Sequence, residues 1–309
     1  MDHKLHLSVS PHIHSGITTQ RIMLDVLISL LPATVAGCVL FGLNALAVVA
    51  VCILAAVASE CIFNLLTKRE QTVGDLSAVV TGLLLALNLP ANIPLWQAAV
   101  GSVFAIILVK CVFGGIGHNI VNPAITARVF MLLAFGTMTK AAYPAGVDTA
   151  SSATPLTQLA EGKSPALTDL FLGNIGGAIG ETCALALLIG GIYLLVRRVI
   201  SWHIPVAFIG TVFVFSLVLE GFDVTVALSW ILSGGLFLGA FFMATDYVTS
   251  PATPWGKVIF GLGAGLITVL IRFYGNYPEG VSFAILLMNI LNPYIESWTP
   301  RKLFGGKKA

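Results

Sequence analysis

The apolar residues of this chain are gathered into runs of about 20, roughly what one helix needs to cross the ~30 Å hydrocarbon core of a bilayer. Polar residues, glycines and prolines punctuate the runs. Reading each run as one helix predicts ten segments, near 22–42, 44–66, 73–89, 95–113, 120–137, 175–196, 203–219, 224–243, 257–273 and 280–297. The expected fold class is an all-α integral membrane protein with about ten transmembrane helices. The remaining chain forms a polar, His-rich arm (1–21), a long loop (138–172) and a short basic tail (298–309). The arm lacks the basic-then-apolar order of a signal peptide, so it is expected to be retained.

Composition agrees with the pattern. Of the 309 residues 57% are hydrophobic and 10% charged, which excludes an ordinary water-soluble chain. A net charge of +2, without a basic block interleaved with aromatics, argues against nucleic acid as a partner and leaves membrane lipid as the surroundings. Cys38, Cys52, Cys61, Cys111 and Cys183 have no CxxC or Cys/His spacing and read as buried free thiols. His6, His12 and His14 lie in the polar arm with no second ligand cluster, so no metal site is expected. With the N-terminus cytoplasmic, twelve of the sixteen Lys and Arg fall in inside segments and three, Lys140, Lys163 and Arg272, outside, while Arg128 falls within the fifth segment. The positive-inside rule therefore gives both termini cytoplasmic and loop 138–172 external.

The chain also repeats itself. The string NIVNPAI at 119–125 returns as NILNPYI at 289–295, identical at five of seven positions. Upstream, Ser77, Thr81, Gly82 and Leu84 are answered by Ser229, Ser233, Gly234 and Leu236, and Lys110 by Arg272. An offset of five helices, an odd number, makes the two halves (22–137 and 173–297) inverted repeats, the arrangement common among transporters. Because proline cannot continue a helix on its N-terminal side, broken or re-entrant helices are expected at 117–124 and near 289–294. Asn122 and its counterpart Asn292 would then line a common central site.

The external loop carries the string DTASSATPL at 148–156, small, polar and followed by a helix-start signal. On composition alone it is a surface turn. It is similar, however, to the flavinylation motif Asp-x-x-Ser-(Gly/Ser)-Ala-Thr of the membrane subunits of Rnf and Na⁺-pumping quinone reductase complexes. Further stretches extend the resemblance over nearly the whole chain: FGGIGHNIVNPA at 113–124, GNIGGAIGET at 173–182, ATDYVTSP at 244–251 and YPEGVSF at 277–283. The quinone reductase subunits usually have a longer N-terminal extension, which favours the Rnf branch. The resemblance implies ten helices in two inverted repeats in a bacterial inner membrane. It implies FMN joined through a phosphoester to Thr154, with Ser151 in the recognition motif, and a noncovalent riboflavin known in the family. It also implies a flavin transferase for maturation, and Rnf subunits A, B, C, E and G as partners in electron transfer between ferredoxin- and NAD-linked subunits, coupled to Na⁺ or H⁺ movement.

Other residues carry chemistry on their own account. Gly173, Gly176, Gly177 and Gly180 open the sixth segment; they permit close helix packing, or Gly176 and Gly177 offer backbone N–H groups to a flavin. Glu60, Glu181 and Asp246 are acids in apolar surroundings, where charge is costly, and are candidates for an ion pathway. Pairing with Arg128 or capping of a broken helix are the structural alternatives. Neither a GxGxxG after a strand nor a cysteine ladder for an iron–sulfur cluster is found, so nucleotide and cluster chemistry belong to other subunits. The competing class is a transporter or channel, suggested by the repeats and by Asn122-Pro123-Ala124, which superficially resembles an aquaporin motif.

Overall fold

A computed structural model describes residues 18–139, 141–144, 154–275 and 279–300. Ser151, the acid Asp148 and the His-rich arm lie outside the described residues. Thirteen α-helices are present among those described: α1 (Thr19–Phe41), α2 (Leu43–Leu66), α3 (Ser77–Leu87), α4 (Leu95–Phe104), α5 (Pro123–Ala134), α6 (Pro155–Ala160), α7 (Leu167–Leu172), α8 (Ala184–Val196), α9 (His203–Leu219), α10 (Val224–Leu232), α11 (Leu236–Leu238), α12 (Pro254–Tyr274) and α13 (Val281–Trp298). No strand occurs among the described residues; one isolated antiparallel bridge joins Ala142 to Gly177. Two π-helical turns extend the helices, Ala105–Cys111 after α4 and Gly239–Met243 after α11.

Several helix starts have a local cause. Asn122 accepts hydrogen bonds from the N–H groups of Ala124 (3.0 Å) and Ile125 (3.3 Å), and Pro123 supplies the first residue of α5 with φ already set. Thr253 and Pro254 do the same for α12, through Gly256 N–H at 3.1 Å. Asp223 caps α10, and bonds from the Thr225 hydroxyl and from the N–H groups of Thr225 and Val226 hold its carboxyl below the usual range.

All ten predicted segments contain a helix, but three helices, α1, α2 and α12, are long and apolar enough to cross a membrane unaided. The pair formed by α10 and Leu236–Met243 passes the same test together, bent by 63°. The sixth segment departs most from expectation: 173–183 is not helical and α8 begins only at Ala184. The glycine run forms a buried irregular strip that packs closely on α3 and α1, at Gly180 against Leu87 and at Gly173 against Leu40, and its N–H groups at Gly177, Ile179 and Gly180 donate to the carbonyls of Ala142, Leu89 and Leu87. The break at 117–124 is present: Gly114, Gly115 and Gly117 take positive φ, and α5 starts anew at Pro123. The expected break near 289–294 is absent. Helix α13 runs through Pro293, which lies on its exposed side while Asn289, Asn292 and Ile295 are buried, so the i−4 hydrogen bond that the proline forfeits is lost without ending the helix. The thiols need a correction too: Cys52 and Cys111 are buried, but Cys61 is exposed on the outward face of α2.

In packing, α2 lies on α3 and α4 while α9 lies on α10 and α12; α1 meets α8, and α5 meets α13. Large apolar side chains such as Val39 on α1 and Leu66 on α2 face outward, the inverse of a soluble protein. The α1–α8 seam closes at Gly190, where a Cβ would stand 2.1 Å from the Ser29 carbonyl oxygen. No rotamer change relieves a clash with backbone, so Gly190→Ala should cost about 1–3 kcal/mol or more by prising α1 from α8. Gly210 on α9 has open space at the same point, and Gly210→Ala should be neutral or slightly stabilising. Thermal unfolding of both variants in detergent, with equal losses for the two, would refute this account of the seam.

Candidate functional site

Two cavities open at opposite ends of α3 and α5. The first, about 310 Å³, is lined by Asn88 at the end of α3, Arg128 and Leu132 of α5, Thr154 and Thr157, the 175–182 strip, Gly234, and 279–283 at the start of α13. The second, about 370 Å³, is lined by Ser77 and Val80 of α3, Lys110, Asn119, Asn122, Leu194, Phe241, Phe242 and 245–248. The eleven residues of α3 that separate them span only about 16 Å. Met243 stands between: Asn88 Nδ2 donates to its Sδ (3.6 Å) from the first side and Asn122 Nδ2 to its carbonyl (3.3 Å) from the second.

The first cavity gathers four of the expected residues, Thr154, Gly176, Gly177 and Glu181, from separate stretches of chain. Thr154 is the N-cap of α6; its Oγ1 accepts from Thr157 N–H at 3.3 Å and lies 2.9 Å from Thr157 Oγ1. Gly176 is pressed against the ring of Tyr143, leaving no room for a side chain. The bend between α10 and α11 supplies another wall. Gly234 there has φ +68° and packs on Leu156, and a Cβ on Gly235 would lie 2.6 Å from Glu181 Oε1. A larger residue at this bend would exclude the acid.

The polar centre of the wall is ionic. Arg128, 5% exposed, donates to Asn88 Oδ1 at 2.6 Å, and its Nη2 meets both Glu181 (2.7 Å) and Glu279. Glu181 Oε1 is held by Arg128 as an ion pair, and Thr182, the next residue, is buried with no hydrogen-bond partner for its Oγ1. Two carboxylates thus share one guanidinium. Arg272 is close by, but it donates to the carbonyls of Trp230, Ser233 and Glu279. Among these, Glu279, Thr182 and Asn88 were not singled out from sequence. The signal available was Arg128 itself, a cation inside an apolar helix that needs partners.

The other candidates are dispersed. Glu60, 1% exposed, lines neither cavity; it is locked to Lys110 Nζ at 2.7 Å and Thr72 Oγ1 at 2.8 Å. Asp246 lines the second cavity, half-buried, and accepts from Thr249 Oγ1 at 3.1 Å. Asn122 lines that cavity too, but Asn292 lines neither, so the two do not form a common central site. Asn289, which also lines neither cavity, is the residue that meets Asn122: with its amide turned to suit its neighbours, Oδ1 accepts from Asn122 N–H (3.1 Å) and Nδ2 donates to Thr249 O (3.2 Å). The continuous α13 explains the exchange. Positions three apart share one helix face, so the repeat's first asparagine can reach the partner while the second, Asn292, is left buried with Oδ1 unpartnered.

Outward-facing apolar helices around buried ion pairs, with two largely apolar cavities between them, point to the class: a multi-pass helical membrane protein. Its family is equally definite, since the model of the NQR2, RnfD, RnfE family matches residues 6–305, and the chain belongs to that family. It is 50% identical to the D subunit of the Na(+)-translocating ferredoxin:NAD(+) oxidoreductase complex of Acetobacterium woodii, over 98% of this chain and 96% of that one. It is 40% identical to the D subunit of the proton-translocating ferredoxin:NAD(+) oxidoreductase complex of Clostridium ljungdahlii, over 98% and 96%. Identity is also 40% to the D subunit of the ion-translocating oxidoreductase complex of Stutzerimonas stutzeri, over 93% and 92%.

Proposed function

We propose that this chain is the D-type membrane subunit of an Rnf ion-translocating ferredoxin:NAD⁺ oxidoreductase, and that it carries FMN as a phosphoester on Thr154. The observation that carries the reading is the seat of Thr154: its hydroxyl lies in the wall of a cavity with Gly176, Gly177 and Arg128, beneath apolar residues Val129, Leu132, Met138 and Phe283. A volume of about 310 Å³ is within the ~300–1,000 Å³ of small-molecule sites. A hydroxyl for the ester and apolar walls for a flat ring fit the group. When bound, FMN supplies a relay for electrons. Thr154 would anchor it through its hydroxyl, and the apolar wall would keep water from the ring.

On this reading the ten long segments span the inner membrane as two inverted five-helix repeats, with loop 138–172 outside and both termini cytoplasmic. Subunits A, B, C, E and G bring electrons to and from the chain, and a flavin transferase attaches the FMN. The second cavity, with Asn119, Asn122 and Asp246 among apolar walls, is the seat assigned to the family's noncovalent riboflavin. Protease added to sealed right-side-out vesicles should release a peptide containing Thr154 with the mass of FMN added, and inverted vesicles should release none. An unmodified Thr154 peptide, or release from inverted vesicles alone, would overturn the assignment of the ester or of the outer face respectively.

A further inference from the structure

The short helix that follows Thr154 is seated by its side chains on the second half of the chain. Pro155, Leu156 and Leu159 of α6 are buried, and the two leucines form one cluster with Trp230 of α10, against which Val226 and Phe273 pack. Trp230, 2% exposed, is held from three directions. Its Nε1 donates to Glu220 Oε1 at 2.9 Å, its ring lies 4.6 Å from that of Phe273, and its carbonyl accepts from Arg272 Nη1 at 2.6 Å. Gly234, at φ +68°, leaves the room that Leu156 fills, since a Cβ there would stand 2.7 Å from Leu156 Cδ1. Past the far end of α6 the chain is exposed over 161–164 and turns at Gly162, whose φ is +76° with open space around it.

Seated in this way, Thr154 is out of an enzyme's reach. Its Oγ1 is engaged with the N–H and Oγ1 of Thr157, and the two residues after it are buried. The cavity it faces, about 310 Å³, has room for a small molecule and not for a transferase, which must enclose the acceptor hydroxyl, the chain on either side of it and a bulky flavin donor. We propose that FMN is attached while α6 is off its seat, and that Leu156 and Leu159, closing on Trp230, then bring the ester to the cavity wall. The inference rests on the reading of Thr154 as the flavin-bearing residue and adds the order of the two events. The donor class is a flavin dinucleotide: the bond from Thr154 Oγ1 to phosphorus forms as the pyrophosphate bond breaks, the nucleoside monophosphate leaves, and the hydroxyl proton passes to the transferase. Trp230 acts only through α6 and is a positioning residue.

The test uses the whole complex produced without its transferase, then given the transferase and FAD, with FMN on the Thr154 peptide followed by mass spectrometry. If only the unseated form reacts, the initial rate follows the unseated population. Leu159→Ala removes most of a buried side chain from the seat and leaves the acceptor and its neighbours unchanged. It should speed attachment about tenfold or more and speed amide hydrogen exchange across 155–160 by the same factor, while Leu159→Met should stay near the parent in both. Trp230→Phe, which shrinks the seat from the α10 side, is the second variant and should move both rates in the same direction. Attachment that slows or stays level while exchange quickens would make the seated helix the substrate and overturn the proposal. Exchange unchanged in Leu159→Ala would overturn the seat. No FMN on Thr154 in parent or variants, with exchange responding as expected, would remove the FMN reading itself and the order of events with it.

Discussion

Thr154→Val is expected to remove covalent flavin from the chain completely and to stop electron transfer through it, while the protein still assembles. Valine keeps the shape of threonine and lacks only the hydroxyl that the phosphoester needs. The structural loss is small: α6 forfeits the cap from Oγ1 to Thr157 N–H, worth about 1 kcal/mol, on a six-residue helix. Thr154→Ser keeps an acceptor hydroxyl and should restore the flavin, and Thr157→Val should leave it in place. Fluorescence of the protein band on a denaturing gel, with blotting for abundance, measures all three. A fluorescent band in Thr154→Val would place the ester elsewhere.

The second large effect concerns Arg128. Arg128→Met should cost about 3–5 kcal/mol, because it leaves Glu181, 3% exposed, facing a cavity with its charge unpaired. The loss should appear as poor assembly of the complex and a lower unfolding temperature in detergent. Arg128→Met combined with Glu181→Gln removes the stranded charge together with its partner and should recover a large part of the loss, a coupling that a double-mutant cycle isolates. If the double variant is as unstable as the sum of the singles, the ion pair is not what holds α5 to the 175–182 strip.

Much of the helical pattern could be read directly. A 20-residue apolar run has one outcome in a bilayer, since every backbone N–H and C=O must be satisfied within the segment. Each of the ten predicted segments contains a helix, though only α1, α2 and α12 are long enough to span alone, and proline at the first helical position located the start of α5 at Pro123. It failed at 173–183, because glycine-rich apolar sequence looks like a packing helix whether or not it is one. Here the strip finds its donors' partners in the carbonyls of Leu87, Leu89 and Ala142, residues far away in sequence. It failed again at Asn292. The NILNPYI string does repeat NIVNPAI, but a proline on the exposed side of a helix need not end it, and Asn289 makes the contact with Asn122.

The sequence by itself determined the apolar character of the chain, most of the helix positions, the recurrence of one string of residues and the need for buried charges to find partners. These follow from local composition and from the solvent. Tertiary structure alone decided which buried charges meet: Glu60 with Lys110, fifty positions away, and Arg128 with Glu181 and Glu279 beside Thr154. A lone charge in an apolar helix says that a partner must exist, because the cost of burial demands one. Which partner it has depends on the bends and crossings of helices that a linear pattern does not record, here the glycine elbow at Gly234 and the irregular strip before α8.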